Sequence, residues 1–141
     1  MWESRNFGTL FGDHRVRLKK ARDFAALVSR YYRVPVPALR GVRAGASKKT
    51  WTGQQLPNRL EVNIDVAGWT YPLLAHELAH YVLSRKVPNY EQHGALWMGV
   101  NLHILDKYKI LGKHATLPSA RAFKVKARHP DKCKPGNLSG N

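Results

Sequence analysis

Apolar residues recur at three- and four-residue steps in three stretches of the chain, and at every second position in a fourth. The first stretch places Leu18, Ala21, Ala25, Val28 and Tyr32 on one face, with Phe24, Leu27 and Tyr31 widening it. This predicts an amphipathic helix over about 14–33, with Asp13 as its N-cap. Val34-Pro35-Val36-Pro37 should end it, because proline lacks the amide donor and disfavours a helical residue before it. Extended segments are expected at about 39–45 and 49–56, separated by Ala46-Ser47-Lys48. Over 59–64, Leu60, Val62 and Ile64 alternate with Arg59, Glu61 and Asn63, the pattern of a strand with one buried and one wet face.

A second helix is predicted over about 71–85. Thr70 can cap it, Pro72 falls in the tolerant first turn, and Leu73, Leu74, Leu78, Ala79, Val82 and Leu83 give it an apolar environment. After a turn at Pro88-Asn89, the positions Leu96/Trp97, Val100, Ile104 and Leu111 predict a third helix over about 94–110. Beyond Gly112 the pattern gives way to Pro, Gly, Ser and Lys, and the last dozen residues read as disordered. There are no internal repeats. The order helix, small sheet, helix, helix predicts a compact α+β domain over 1–117, with a small three-stranded, mostly antiparallel sheet. Residues 118–141 then form a basic, flexible tail.

Charge adds a second layer. The 141-residue chain carries a net +15. Residues 1–50 hold +9 and residues 107–141 hold +8, whereas residues 51–106 hold −2. Basic flanks around a nearly neutral middle predict sequence-independent contact with DNA or RNA; the competing reading is a solvated basic surface. No sequence-reading motif is present. No stretch approaches the length of a membrane span, the first thirteen residues lack the order of a signal peptide, and a single cysteine excludes an internal disulfide. A cytoplasmic location is the expectation. Cys133 reads as a bystander in the tail.

The chemistry is named by residues 76–80, His-Glu-Leu-Ala-His. On a helix, His76 and His80 project from one face one turn apart, so two imidazole nitrogens can reach one Zn²⁺ while Glu77 lies beside a water on that ion. A catalytic zinc needs a third protein ligand and an open position. Metzincin spacing would demand Gly at 83 and His at 86, where the chain has Leu83 and Lys86. His93, at the head of the third helix, is the favoured third ligand; Glu91, and Asp106 with its shorter arm, are its rivals. His14, His103, His114 and His129 lack the spacing and read as surface or packing residues.

Arg59-Leu60-Glu61-Val62-Asn63-Ile64, then Leu74-Ala75-His76-Glu77-Leu78-Ala79-His80, then His93-Gly94 with Trp97, resembles the zinc domain of SprT-like metallopeptidases. The likeness spans roughly residues 14–110, and small phage and actinobacterial metallohydrolases look equally close. The resemblance implies a zincin-like core in which a strand precedes the His-Glu-x-x-His helix and an HG-x-x-W element supplies the third histidine. Many members carry a four-cysteine zinc ribbon after the catalytic part; with Cys133 alone, this chain is expected to hold no second, structural zinc.

The function expected is peptide-bond hydrolysis on a protein or peptide substrate, with Glu77 as general base to a zinc-activated water. Tyr81, Tyr90 and Tyr108 are candidate oxyanion donors. The segment Thr50–Leu56 is a candidate edge strand for an extended substrate, and Trp51 and Trp69 are candidate cleft or core residues. Two alternatives stand beside this reading. One is a noncatalytic nucleic-acid-binding or phage structural protein with a zinc site; the other is a zinc hydrolase of a non-peptide bond.

Overall fold

The computed structural model describes residues 15–43, 53–63, 68–108, 110 and 130–138. Helix α1, Leu18–Tyr32, buries Ala21, Phe24, Ala25, Val28, Ser29 and Tyr32, most of the face expected from the three- and four-residue steps, whereas Leu18 and Leu27, expected on it, are exposed. It starts later than predicted, with Arg17 as an N-cap that makes no side-chain capping bond. The expected cap Asp13 lies outside the described residues. The helix stops two residues before Pro35, at Arg33, whose φ of 57° is left-handed. Val34 N–H bonds to the Ser29 carbonyl and Arg33 N–H to that of Arg30, so two otherwise orphaned carbonyls are satisfied.

Strands β1 (Ala38–Val42), β2 (Gly53–Leu56) and β3 (Arg59–Asn63) form one sheet in the order β1-β3-β2. The tight turn at Pro57-Asn58 makes β2 and β3 antiparallel, with Leu56 opposite Arg59. β1 pairs with β3 in parallel, from Ala38 opposite Arg59 to Val42 opposite Asn63. The sheet is therefore mixed rather than mostly antiparallel. A short turn dictates antiparallel pairing only for the two strands it joins, and alternation says nothing about a non-consecutive partner. The wet face expected of β3 is also corrected at Glu61, which is buried. Gln54 Nε2 donates to its Oε1 at 2.8 Å and Arg59 Nε lies 3.1 Å from its Oε2, so the carboxylate leaves bulk water with partners.

Helices α2 (Tyr71–Lys86) and α3 (Ala95–Lys107) complete the α+β fold. Thr70 Oγ1 accepts from Leu73 N–H at 3.2 Å and Pro72 sits in the first turn, so α2 begins as its sequence demands. Every residue of α2 from Leu73 to Leu83 is buried, because α1, α3 and β2 pack around it. Leu73, Leu74, Leu78 and Leu83 are each at most 1% exposed, and each contributes about 2 kcal/mol of apolar burial. The helix that carries His76, Glu77 and His80 is thus the centre of the core. Among the described residues no helix is long and apolar enough to cross a membrane.

Residues 130–138 correct the reading of the tail. Short 3₁₀ turns at Pro130–Cys133 and Pro135–Asn137 bring this segment onto α3, with Cys133 and Leu138 buried in the core. Tyr32 Oη donates to the Cys133 carbonyl at 2.8 Å. Isolated apolar residues between prolines and lysines have no periodicity, so their burial left no pattern to read.

Candidate metal centre

Three histidine side chains converge at the surface-facing end of this core. His76 and His80 come from successive turns of α2 and are 8% and 5% exposed. His93 comes from the exposed loop before α3, where its own φ is 56°. His80 Nε2 lies 3.0 Å from His93 Nε2, and His93 Nε2 lies 3.4 Å from His76 Nε2. One ligand atom from each of the three falls within 4.8 Å of the others. Nitrogens bound tetrahedrally at about 2.05 Å from one ion would sit roughly 3.3 Å apart. The donor set therefore fits a single metal ion, and three imidazoles suit zinc among several transition metals.

The loop that delivers His93 is bent by two left-handed residues, Asn89 at φ 59° and His93 itself. Asparagine and histidine both enter this region more readily than most residues, at a modest backbone cost. Gly94 then caps α3 through its extended backbone. A β-carbon at Gly94 would lie 2.8 Å from both Cβ and Oε2 of Glu91, so glycine lets the Glu91 side chain close against the turn. Glu91 itself is exposed and lies outside the histidine group, as does exposed Asp106 on α3. Of the three candidate third ligands, the fold brings only His93 to the pair on α2.

Trp97 packs α3 against all three rings. Its indole lies 4.7 Å from His76, 5.0 Å from His80 and 4.8 Å from His93, stacking on His80 at 24°. Its Nε1–H donates to the His76 carbonyl at 3.3 Å, fastening the two helices beside the cluster. Burial, followed by the neighbouring His76 and His93, pushes the His80 pKa down to about 3. The ring is thus held neutral, the form in which imidazole binds metal.

Glu77 is buried, with Oε1 4.0 Å from His76 Nε2. Burial raises its pKa and His76 lowers it, the net shift being upward. Edge strand β2 runs alongside: a β-carbon at Gly53 would stand 3.7 Å from Glu77 Oε1 and 3.0 Å from the Glu61 carbonyl oxygen. The tight approach is to the Glu61 carbonyl oxygen, while Glu77 Oε1 stands at ordinary contact distance. Gln55, two residues on, reaches Ser84 Oγ of α2 at 3.4 Å.

The three candidate tyrosines separate cleanly. Tyr81 Oη donates to the Pro35 carbonyl and Tyr108 Oη to that of Leu27, both away from the cluster. Tyr90 Oη lies 2.9 Å from His80 Nδ1. Trp69 is a core residue, and Trp51 lies outside the described residues. His103 packs on α1, its Nε2 2.8 Å from Tyr31 Oη and its ring stacked on the tyrosine, while His14, His114 and His129 fall outside the described residues. The contacts of Tyr90 and Trp97 with the cluster depend on how the loop and α3 return to α2, for which the sequence offered only the HG-x-x-W hint. Neither a protein-family model, nor a curated protein, nor a solved structure matches this chain, so the geometry of the cluster carries the functional argument.

Proposed function

We propose that this chain is a zinc-dependent metallopeptidase of SprT-like type, with His76, His80 and His93 as the metal ligands and Glu77 as the general base. The single observation that supports it best is the convergence of the three imidazoles beside a buried carboxylate on the same helix. A structural zinc site needs four protein ligands and no neighbouring base; three ligands with an adjacent glutamate suit hydrolysis. Bound Zn²⁺ would supply Lewis acidity towards a carbonyl oxygen and lower the pKa of a coordinated water.

The chain's own residues supply the rest. Glu77 Oε1 accepts the proton of the attacking water and returns it to the leaving amine. Burial raises its pKa, which makes the carboxylate a stronger base towards that water. Edge strand β2, side-chain-free at Gly53, offers its backbone to an extended peptide next to Glu77. That edge favours a peptide over a non-peptide substrate.

The test pairs metal analysis with cleavage of fluorescently labelled casein. Glu77→Gln should retain one zinc per chain and lose activity by about 10²–10⁴-fold, since glutamine matches the shape but accepts no proton. Undiminished cleavage would remove Glu77 from the mechanism, and absence of zinc from the native protein would remove the metallopeptidase reading.

One observation favours nucleic-acid association alongside catalysis. Lys19, Arg22 and Arg30 are exposed on α1 away from its buried face, over roughly 16 Å, with exposed Asp23 among them. Such cations can follow phosphates without entering the histidine cluster. Weak binding to DNA or RNA that falls steeply with salt is the expected outcome. No binding at low salt would leave them as solvated surface.

A further inference from the structure

The loop that carries His93 also reaches back to a second member of the cluster. Tyr90 Oη lies 2.9 Å from His80 Nδ1, and Gln92 Nε2 donates to the same oxygen at 3.0 Å. On the other side of the ring, His80 Nε2 faces His93 Nε2. We propose that Tyr90 is a positioning residue: its hydroxyl accepts the His80 Nδ1–H and so holds the ring with Nε2 unprotonated and aimed at the metal position. This rests on the metal-site reading above.

Hydrogen-bond accounting supports the assignment. A metal-binding Nε2 must carry its lone pair inward, so the proton of neutral His80 belongs on Nδ1. His80 is buried, and an N–H there without an acceptor would be costly. Tyr90 Oη is the acceptor at hydrogen-bond distance. Gln92 contributes an N–H₂ that can only donate; it occupies one acceptor position of the phenol oxygen and leaves the other for His80.

The geometry divides the labour. Trp97, stacked on the His80 face at 24°, fixes the plane of the ring. It leaves a half-turn about the Cβ–Cγ bond, which returns the ring to the same plane with its nitrogens and carbons exchanged. The Tyr90 bond resists that rotation. Tyr90 is half-buried, with its ring packed against the edge of the core, and Gln92 is exposed. Their shared use is in orienting His80.

The experiment measures Zn²⁺ affinity by chelator competition for the full chain, Tyr90→Phe and Gln92→Ala, together with long-range ¹H–¹⁵N spectra of the histidine rings without metal. Phenylalanine keeps the aromatic ring and removes only the acceptor. Tyr90→Phe should weaken Zn²⁺ binding about 10–100-fold, and Gln92→Ala by less. In metal-free native protein the His80 Nδ1–H should appear as a slowly exchanging signal that Tyr90→Phe abolishes. An affinity within twofold of native in Tyr90→Phe would overturn the proposal, and so would a metal-free spectrum in which His80 carries its proton on Nε2. Native protein that binds no Zn²⁺ yet shows the protected Nδ1–H would sink the metal reading while leaving the Tyr90–His80 bond established.

Discussion

Two regions supply the histidine cluster, and they are built on opposite principles. Helix α2 holds His76, Glu77 and His80 inside an unbroken buried run from Leu73 to Leu83. The segment from Val87 to His93 is mostly exposed, twice enters left-handed backbone, and supplies His93 and Tyr90. The helix has its geometry set by packing that exists for the sake of the core. The loop has little packing of its own, so its conformation leans on the contacts it makes at the cluster. A metal bound across both should therefore act on them unequally.

The largest effect should come from removing ligands. Structural zinc sites are worth about 10–16 kcal/mol in total, so each ligand accounts for roughly 3 kcal/mol, about two orders of magnitude in affinity. His76→Ala, His80→Ala and His93→Ala should each weaken Zn²⁺ by about this much, while Glu91→Ala changes it little. The variants differ in what else they lose. His80→Ala empties a buried position and should also lower metal-free stability, whereas His93→Ala at an exposed loop should spare most of it. Glu91→Ala weakening zinc more than His93→Ala would reassign the third ligand.

Metal removal is the next test, and it reads the contrast directly. Zn²⁺ at a hundred times its Kd should stabilise the fold by about 2.7 kcal/mol. In hydrogen exchange, protection gained on binding should concentrate in residues 87–94. The amides of α2 should change less, because their local stability is already set by the core. Equal protection across both regions would mean that the loop is no softer than the helix.

A subtler prediction separates the His93 side chain from its backbone. At φ 56° a histidine pays for left-handed geometry that glycine adopts freely. In the metal-free protein His93→Gly should therefore be about 1 kcal/mol more stable than His93→Ala, since both lose the imidazole but only alanine keeps the backbone cost. Their zinc affinities should fall alike. Chemical denaturation of the two variants, with and without metal, measures both quantities. Equal stability would show that the loop is not strained at this residue.

The same contrast explains what could be read in advance. Thr70, Pro72 and the apolar run after them are local signals, and His76 and His80 share a face through helix geometry alone, so α2 and the approach of its two histidines were legible. The buried face of α1 was legible for the same reason. The parallel pairing of β1 with β3 was not, because two non-consecutive strands choose partners through tertiary packing. Glu61 was assigned to solvent by alternation, which cannot foresee Gln54 and Arg59 closing over it. Gly53 stands beside Glu77 through sheet order, and Tyr90 meets His80 through a loop bend at Asn89. The burial of Cys133 was not foreseen because a few buried residues in a Pro- and Lys-rich segment follow no period. What periodicity carries was visible; what depends on a return of the chain was not.

The smallest effect provides the control for the strained loop. Arg33, at φ 57°, has nearly the same backbone as His93 but sits at the end of α1, exposed. Its backbone N–H and that of Val34 close the helix whatever side chain it bears. Arg33→Gly should keep those bonds, remove the left-handed cost and add roughly 0.5–1 kcal/mol to stability, less than the full αL cost because glycine also loosens the unfolded chain. A rise in the melting temperature of a few degrees is the expected reading. Zinc affinity should be unaffected, in contrast to His93→Gly, where relief of the same geometry costs a ligand. If Arg33→Gly instead lowered the melting temperature, the left-handed positions of this chain would not be strained. The stability difference expected between the two His93 variants would then lose its physical basis.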